Sequence, residues 1–548
     1  MKKIFNYMAL GVLGMGLTAS CGDFLDEYSQ DLITARTVTD LNELLVGDVY
    51  LRSHTVNKGM TQGVYGFVNM LDDDINTTGS SGTKNAHTTW REVVAQMWGY
   101  FAWQQDVRLN FSGTSRPDDN ATWNTLYRRI NHANNIIDII DDMPRSTDDD
   151  KVLYHRVKGE AHFVRAQFYL ALANLYGPAY NPETTADSLC VPLKLTSHVE
   201  HDKEKDTQFE RATNRAVYAT IVNDLKIARE QLTVSPQDSR RRLHRATAEA
   251  ASLLLSRVCL YMQDWKGAEV AAKEVMSSKN FSLAAISTIK QGTPFLTAAN
   301  PEMIFSQGAN FVAPRDELTS LTASPADFCV TRDLYDSFDP SDARRQAFFV
   351  INTVTDSVRL TEKYERGLEL NHISDGFALR MAEAYLNHAE ACAMQPGKEA
   401  QANASLKALR NERIYGYAHT DATGAELVEE IRQERRRELC FEGHRWFDLR
   451  RYAVNKEYPF SKNIIHVFNA FDDAASFVGS HTYILPAGDP AYQFSIPAKV
   501  QEFDKVPMPD NIRPKRPEVK PETERPSFPV FDDEDEENGE GSGETEYP

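Results

Sequence analysis

A chain of 548 residues is long enough for a large core, and 41% hydrophobic with 25% charged residues is the composition of a folded soluble protein. The net charge of −19 argues against nucleic acid as a partner. None of the six cysteines stands in CxxC or CxxH spacing, so neither a disulfide framework nor a zinc site is expected.

Lys2 and Lys3 precede a mostly apolar run from Met8 to Ala19, which ends in Leu17-Thr18-Ala19-Ser20-Cys21. A basic start, a short apolar stretch and small residues before a cut make residues 1–20 a secretory signal. The run is shorter than the roughly 20 apolar residues of a membrane span. A cysteine at the small-residue site marks a bacterial lipoprotein, acylated at Cys21 and tethered to membrane lipid through its acyl chains.

A short helix is expected from Asp40 to Tyr50. Leu71 to Asn85 then has the Asp, Asn, Thr, Gly and Ser content of a loop. Its start resembles a calcium loop, but Thr77 replaces the glycine and Thr83 the terminal glutamate, so no metal is expected.

Trp90 to Trp103 holds three of the six tryptophans. Trp90, Val94, Met97 and Phe101 share one helical face and read as core. Trp98, Tyr100 and Trp103 fall off that face and are candidate platforms for sugar rings, with Asp73 and Asp74 to fix hydroxyls.

Helices then arrive in pairs. Trp123 to Ile140 pairs with Lys151 to Tyr176, which stops at Gly177-Pro178, and Tyr218 to Leu232 pairs with Ala246 to Tyr261. A helix from about Asp264 to Met276 follows, and Leu379 to Met394 pairs with Ala400 to Arg413. These Ala, Leu and Tyr faces look like tetratricopeptide pairs, without the regular spacing of a clean solenoid. His132, His162 and His388 on these helices read as satisfied surface or core groups, and Cys259, Cys392 and Cys440 as small buried hydrophobes.

Between the pairs, Ala285 to Val330 reads as a long irregular loop carrying Phe295, Phe305, Phe311 and Phe328. Asp333 to Pro340, followed by Asp342 and Arg344-Arg345, reads as a structural turn.

The stretch Gly424 to Tyr452, GAELVEEIRQERRRELCFEGHRWFDLRRY, is the most constrained. Leu427, Ile431, Glu434, Glu438 and Glu442 fall on one helical stripe, with Val428 and Leu439 beside it. A core-facing stripe that turns acidic needs a cation for each carboxylate, and Arg435, Arg436, Arg437 and Arg445 are the nearest. Gly443 permits a turn at the helix end, and Trp446, Phe447 and Leu449 follow as an apolar plug.

Glu434 and Glu438 lie about 5–6 Å apart at Cβ, close to the ~5–5.5 Å carboxyl separation of retaining glycosidases. Such an enzyme needs one carboxyl held protonated, and surrounding arginines hold both ionised. No GxSxG, Walker A, HExxH or helix-preceding GxGxxG occurs, so no catalytic residue and no cofactor is assigned.

ERRRELCFEGHRWFDLRRY resembles the signature of the SusD/RagB family, nutrient-binding surface lipoproteins of the Bacteroidota. CysGlyAspPheLeuAsp at Cys21, EAHFVRAQFYLALANLYG, LRMAEAYLNHAEA and Asp333 to Pro340 are also similar to its wording. So is the segment from Tyr483 to Tyr492 with Phe494-Ser-Ile-Pro497, although Ser495 stands where a proline is common.

The resemblance implies an all-α fold of irregular helix pairs with long inserted loops and a C-terminal wrap. The chain then divides into the signal, one domain over 21–510 and an acidic tail over 511–548. Candidate ligand loops lie at 70–115 and 285–330, and the signature at 425–452. Arg435, Arg437, Glu438, Glu442, Gly443, Arg445, Trp446 and Asp448 form that signature and carry a structural role.

The implied function is capture of a glycan at the outer-membrane surface and delivery to a SusC-like TonB-dependent transporter. Alternatives are a peptide or other nutrient as ligand, a carbohydrate-active enzyme using acids such as Asp73 and Asp74, or a scaffold for protein partners. The tail is rich in Pro, Glu and Gly, with nine acids and no base from Asp532 to Glu546, and reads as disordered.

Overall fold

The computed structural model describes residues 35–52, 65–77, 97–115, 121–198, 210–235, 243–312, 328–353, 356–365, 373–471, 477–503 and 508–516. The signal, Cys21, Trp90, Val94 and most of the acidic tail lie outside these residues.

Helix α1 (Val38–Leu44) opens with a capping box in which Thr37 and Asp40 satisfy each other's backbone N–H groups, and it runs into a π-helical turn at Leu45–Val49. On α2 (Ala121–Ile139), Trp123, Leu126, Ile130, Ala133 and Ile136 form the buried stripe that the helical period predicts. Helix α3 (Asp148–Tyr176) starts at a second capping box, Thr147 with Asp150, and stops at Gly177, before Pro178.

From Gly159 onward every side of α3 is buried, as expected of the helix at the centre of a stack. Its polar groups are therefore paired. Arg165 and His162 share Asp224 at 2.7–2.8 Å, and Glu160 takes Tyr50 at 2.7 Å and Arg245 at 2.5 Å.

The stack continues through α4 (Asn214–Val234), α5 (Ala248–Tyr261) and α6 (Trp265–Met276), each packed on the one before. Two short helices, α7 (Arg332–Asp336) and α8 (Ala343–Phe348), occupy the stretch read as a structural turn. Then α9 (Met381–Ala393) packs on α5 and α6, and α10 (Glu399–Asn411) and α11 (Gly424–Leu439) pack on α9. Helix α12 (Arg445–Ala453) follows a tight turn.

The expectation of an all-α chain needs correction: the fold is mainly helical with small sheets. Strands β1 (Ile75–Thr77), β5 (Phe328–Val330), β7 (Ser357–Leu360) and β6 (Phe349–Asn352) form an antiparallel sheet in the order β1-β5-β7-β6. Strands β2 (Leu189–Pro192) and β3 (Arg211–Thr213) pair, as do β4 (Met303–Ser306) and β8 (Ala378–Arg380). Strands of three or four residues are too short to show alternation in a sequence.

The Ala285–Val330 segment is also not a loop throughout. It contributes β4 and β5, and Phe295, Phe305, Phe311 and Phe328 are all buried in the main core.

The C-terminal wrap is a hairpin of β9 (Ile464–Phe471) and β10 (Phe477–Leu485). Side chains tie β9 to β1: Asn76 Oδ1 accepts from Val467 N at 2.8 Å, and Thr77 Oγ1 donates to Val467 O at 2.6 Å. The body extends past residue 510. Arg513 is buried and donates to the Ala491 and Gln493 carbonyls, and Arg516 makes a bidentate pair with Asp489.

Candidate functional site

Helix α11 presents Leu427, Val428 and Ile431 to the interior and, one and two turns later, Glu434 and Glu438, both 0% exposed. The predicted stripe is therefore buried along its acidic half. Apart from Arg437, which holds Glu434, its cations come from elsewhere in the chain and not from the neighbouring arginines.

Glu438 receives Arg344 at 2.5 Å, Arg380 at 2.6 Å and Arg413 at 2.9 Å. Arg380 and Arg413 also share Glu302, and Arg380 holds Glu442 through two bonds of 2.8 Å. Lys363 adds a contact to Glu442 at 2.7 Å and caps the end of α11 by donating to the Glu438 and Cys440 carbonyls. Glu434 takes Arg344 at 2.7 Å and both Arg410 and Arg437 at 2.9 Å.

The arginines of α11 and α12 serve a second set of acids. Arg435 pairs with Asp448 at 2.8 Å, and Arg451 bridges Asp448 and Glu390. Arg445 clamps Asp73 through bonds of 2.7 and 2.8 Å, Lys462 reaches the same carboxylate at 2.7 Å, and Arg436 holds Asp74 at 2.7 Å.

Asp73 and Asp74 thus anchor the turn before β1 to the signature, which corrects their assignment as ligand groups. Composition could not separate a solvated acid from one held by a distant guanidinium.

The chain between the two helices turns through Phe441 at φ +57° and Gly443 at φ +73°. Helix α11 has already ended at Leu439, so Gly443 shapes the connection and not the helix end. Its N–H donates to Asn69 Oδ1 at 3.0 Å, and a Cβ there would meet the Asp375 carbonyl at 3.0 Å. Trp446 is fully buried and stacks on Tyr492 with centroids 4.6 Å apart, which fastens the wrap to α12.

Burial alone would raise the Glu438 carboxyl, but Arg413, Arg380 and Arg344 outweigh it and hold it well below the usual carboxylate range. Burial is likewise overcome at Glu434 by Arg344, Arg437 and Arg410, and at Asp73 by Arg445, Arg436 and Lys462. Asp72 moves the other way, raised by burial and then by Asp74 and Asp73.

A carboxyl depressed by folding contributes stability that is complete above its unfolded value and is lost as pH falls. A carboxyl raised by folding, as at Asp72, favours the fold on the acid side and loses that contribution as pH rises. The depressed groups dominate. We predict a melting temperature that holds from pH 7 to about 4–5, near the ordinary carboxylate range, then declines steadily towards pH 3. Calorimetry across that window checks it. A flat melting temperature down to pH 3 would exclude a network of depressed carboxylates.

The aromatic candidates separate into two kinds. Trp103 is 0% exposed, donates Nε1–H to the Leu71 carbonyl at 2.9 Å and stacks on His466 at 4.3 Å, so it is a core residue and offers no ring face to a ligand. Trp98 and Tyr100 are half-buried. Tyr100 stacks on Phe67 at 4.6 Å. Trp98 donates Nε1–H to Tyr483 Oη at 3.1 Å and stands edge-on to Phe111 and Tyr483, each 5.9 Å away.

Phe111 in turn meets His481 at 5.0 Å and Phe468 at 4.8 Å. Trp98, Phe111 and His481 therefore make one partly exposed aromatic patch, seated on the buried Tyr483 and shared by the 97–115 segment and the hairpin. His481 and Tyr483 are not legible as part of this site in the sequence, because only the fold brings positions about 385 residues apart together; Phe111 lies inside the 70–115 candidate loop without a helical face to single it out.

The described residues thus combine an ionic scaffold inside a helical stack with an aromatic patch where the hairpin meets the tryptophan segment. Comparison with known proteins gives the family. The SusD family profile matches residues 351–520, and a related profile described as "Starch-binding associating with outer membrane" matches 51–260. The chain belongs to the SusD/RagB family.

It is 24% identical over 269 residues to SusD-like protein P25 of Formosa agariphila, a match that spans 48% of this chain and 44% of that relative. A SusD superfamily protein from Bacteroides thetaiotaomicron superposes with a TM-score of 0.63 at 20% identity, covering 87% of this chain and all of the other. A SusD-like carbohydrate binding protein from Bacteroides vulgatus gives 0.61 at 21%, covering 88% and 99%. No helix among the described residues is long and apolar enough to cross a membrane.

Proposed function

We propose that this protein is a glycan-binding lipoprotein of the outer-membrane surface, anchored at Cys21, that captures an oligo- or polysaccharide and passes it to a SusC-like TonB-dependent transporter. The helix pairs act as an irregular tetratricopeptide-like scaffold. The observation that carries the reading is the combination of an ion-paired core with a half-buried patch of Trp98, Phe111 and His481 set on the buried Tyr483. Partly exposed rings suit the apolar faces of sugars, and their polar edges suit hydroxyls.

Family membership and the carbohydrate-binding fold neighbour support the same ligand class. Two of the acids that tempt an enzymatic reading favour binding instead. Glu434 and Glu438 are held ionised by arginines, and neither can serve as the protonated acid that glycoside hydrolysis needs.

Screening the protein against a glycan array, and following each hit for new reducing ends, tests the reading. Saturable capture without turnover is the expected result. Sustained release of reducing ends would replace the receptor with an enzyme, and capture of peptides alone would change the ligand class.

A further inference from the structure

Sequence spacing gives no reason to place a metal on this chain, but the fold brings donors from two helices to one point. Glu269 on α6 and His388 and Cys392 on α9 present a carboxylate oxygen, a ring nitrogen and a sulfur, all within 4.8 Å of one another. His388 and Cys392 are one helical turn apart, so both point to the same side of α9. Cys392 Sγ lies 3.8 Å from the imidazole nitrogens. Donors on a tetrahedral zinc ion, with bonds of about 2.3 Å to sulfur and 2.0–2.1 Å to nitrogen, sit roughly 3.5 Å apart.

We propose that Glu269, His388 and Cys392 form a site for zinc or another thiophilic divalent cation at the junction of α6, α9 and α10.

The surroundings have the features of an outer coordination shell. His388 Nδ1 is 2.9 Å from Ser405 Oγ on α10, which orients the ring and leaves Nε2 for the ion. Gln395 and Lys398 both donate to Glu269 Oε2, which fixes that carboxylate and leaves Oε1 unclaimed by either. Gln401 Oε1 stands 3.7 Å from Cys392 Sγ, and it or a water fills the fourth position.

Around the donors, Ala389, Ala393 and Ala402 keep the helices close, and Trp265 packs against the same cluster. A thiolate and a carboxylate together neutralise the divalent charge.

Coordination replaces the Cys392 thiol proton, so binding releases that proton to solvent.

The full chain, reduced and titrated with cobalt(II), reports on this directly. The expected result is a thiolate-to-cobalt charge-transfer absorption that saturates at about one equivalent and is erased by zinc, with about one proton released per ion. Cys392→Ser should abolish the absorption. Glu269→Gln, a partly exposed change that tests the site if the serine variant folds poorly, should weaken zinc binding about tenfold or more. No charge-transfer absorption from the unaltered protein at saturating cobalt overturns the proposal, as does an absorption that survives Cys392→Ser in a folded protein.

Discussion

Replacing Glu438 with alanine should cost about 3–5 kcal/mol of folding free energy, the scale for removing one partner of a buried ion pair. Arg344, Arg380 and Arg413 would keep their charges in a dry interior and lose the carboxylate they share. Arg380 and Arg413 would fall back on Glu302, and Arg344 on Asp342 and Glu434. None of these acids has a spare charge, because each already serves another cation or the one left behind.

Glutamine at 438 should recover only part of the loss, since an amide accepts hydrogen bonds without neutralising charge. Urea unfolding of the three proteins measures this. A loss below about 1 kcal/mol would be the behaviour of a screened surface pair and would contradict the buried network.

Trp98→Ala should weaken glycan capture about tenfold or more, which corresponds to at least ~1.4 kcal/mol, while the melting temperature moves by only a few degrees. Trp98 is half-buried and its removal opens no sealed cavity. It does take away the ring at the centre of the patch and the hydrogen bond to Tyr483.

Trp103→Ala is the contrasting variant. That ring is wholly enclosed, so the change should cost about 3–5 kcal/mol of stability, as core aromatic truncations do. Titration calorimetry with a glycan hit separates the two. Unchanged affinity in a folded Trp98→Ala protein would place the glycan-binding surface elsewhere on the molecule and contradict the proposed patch.

The contrast between these tryptophans shows what the sequence could convey. Helical period placed the major helices within a few residues and identified the acidic stripe on α11, because both depend on spacing along one element. It also placed Met97 and Phe101 in the core, where they are buried. It could not place Trp103, which lies beyond the helical residues at φ +48°, where the face count no longer applies.

Partners were the harder part. Glu438 finds cations from three other segments, and Arg445 finds Asp73 across 372 positions. The acids near the tryptophan segment looked available because a loop composition is the same whether its carboxylates face water or guanidinium. The zinc site has the same origin: His388 and Cys392 are a local pair, but Glu269 enters from a helix more than a hundred residues earlier.

The proposed function divides labour between the signature acids, which hold the body together, and the aromatic patch, which would grip the ligand. Its most direct test is the dissociation constant of Glu438→Gln for a glycan bound by the unaltered protein, measured at a temperature low enough to keep the variant folded. The account predicts a value within about twofold of the original, despite the lost stability. A tenfold weaker affinity, or the loss of a hydrolytic product that the original releases, would place Glu438 in the functional site and contradict it.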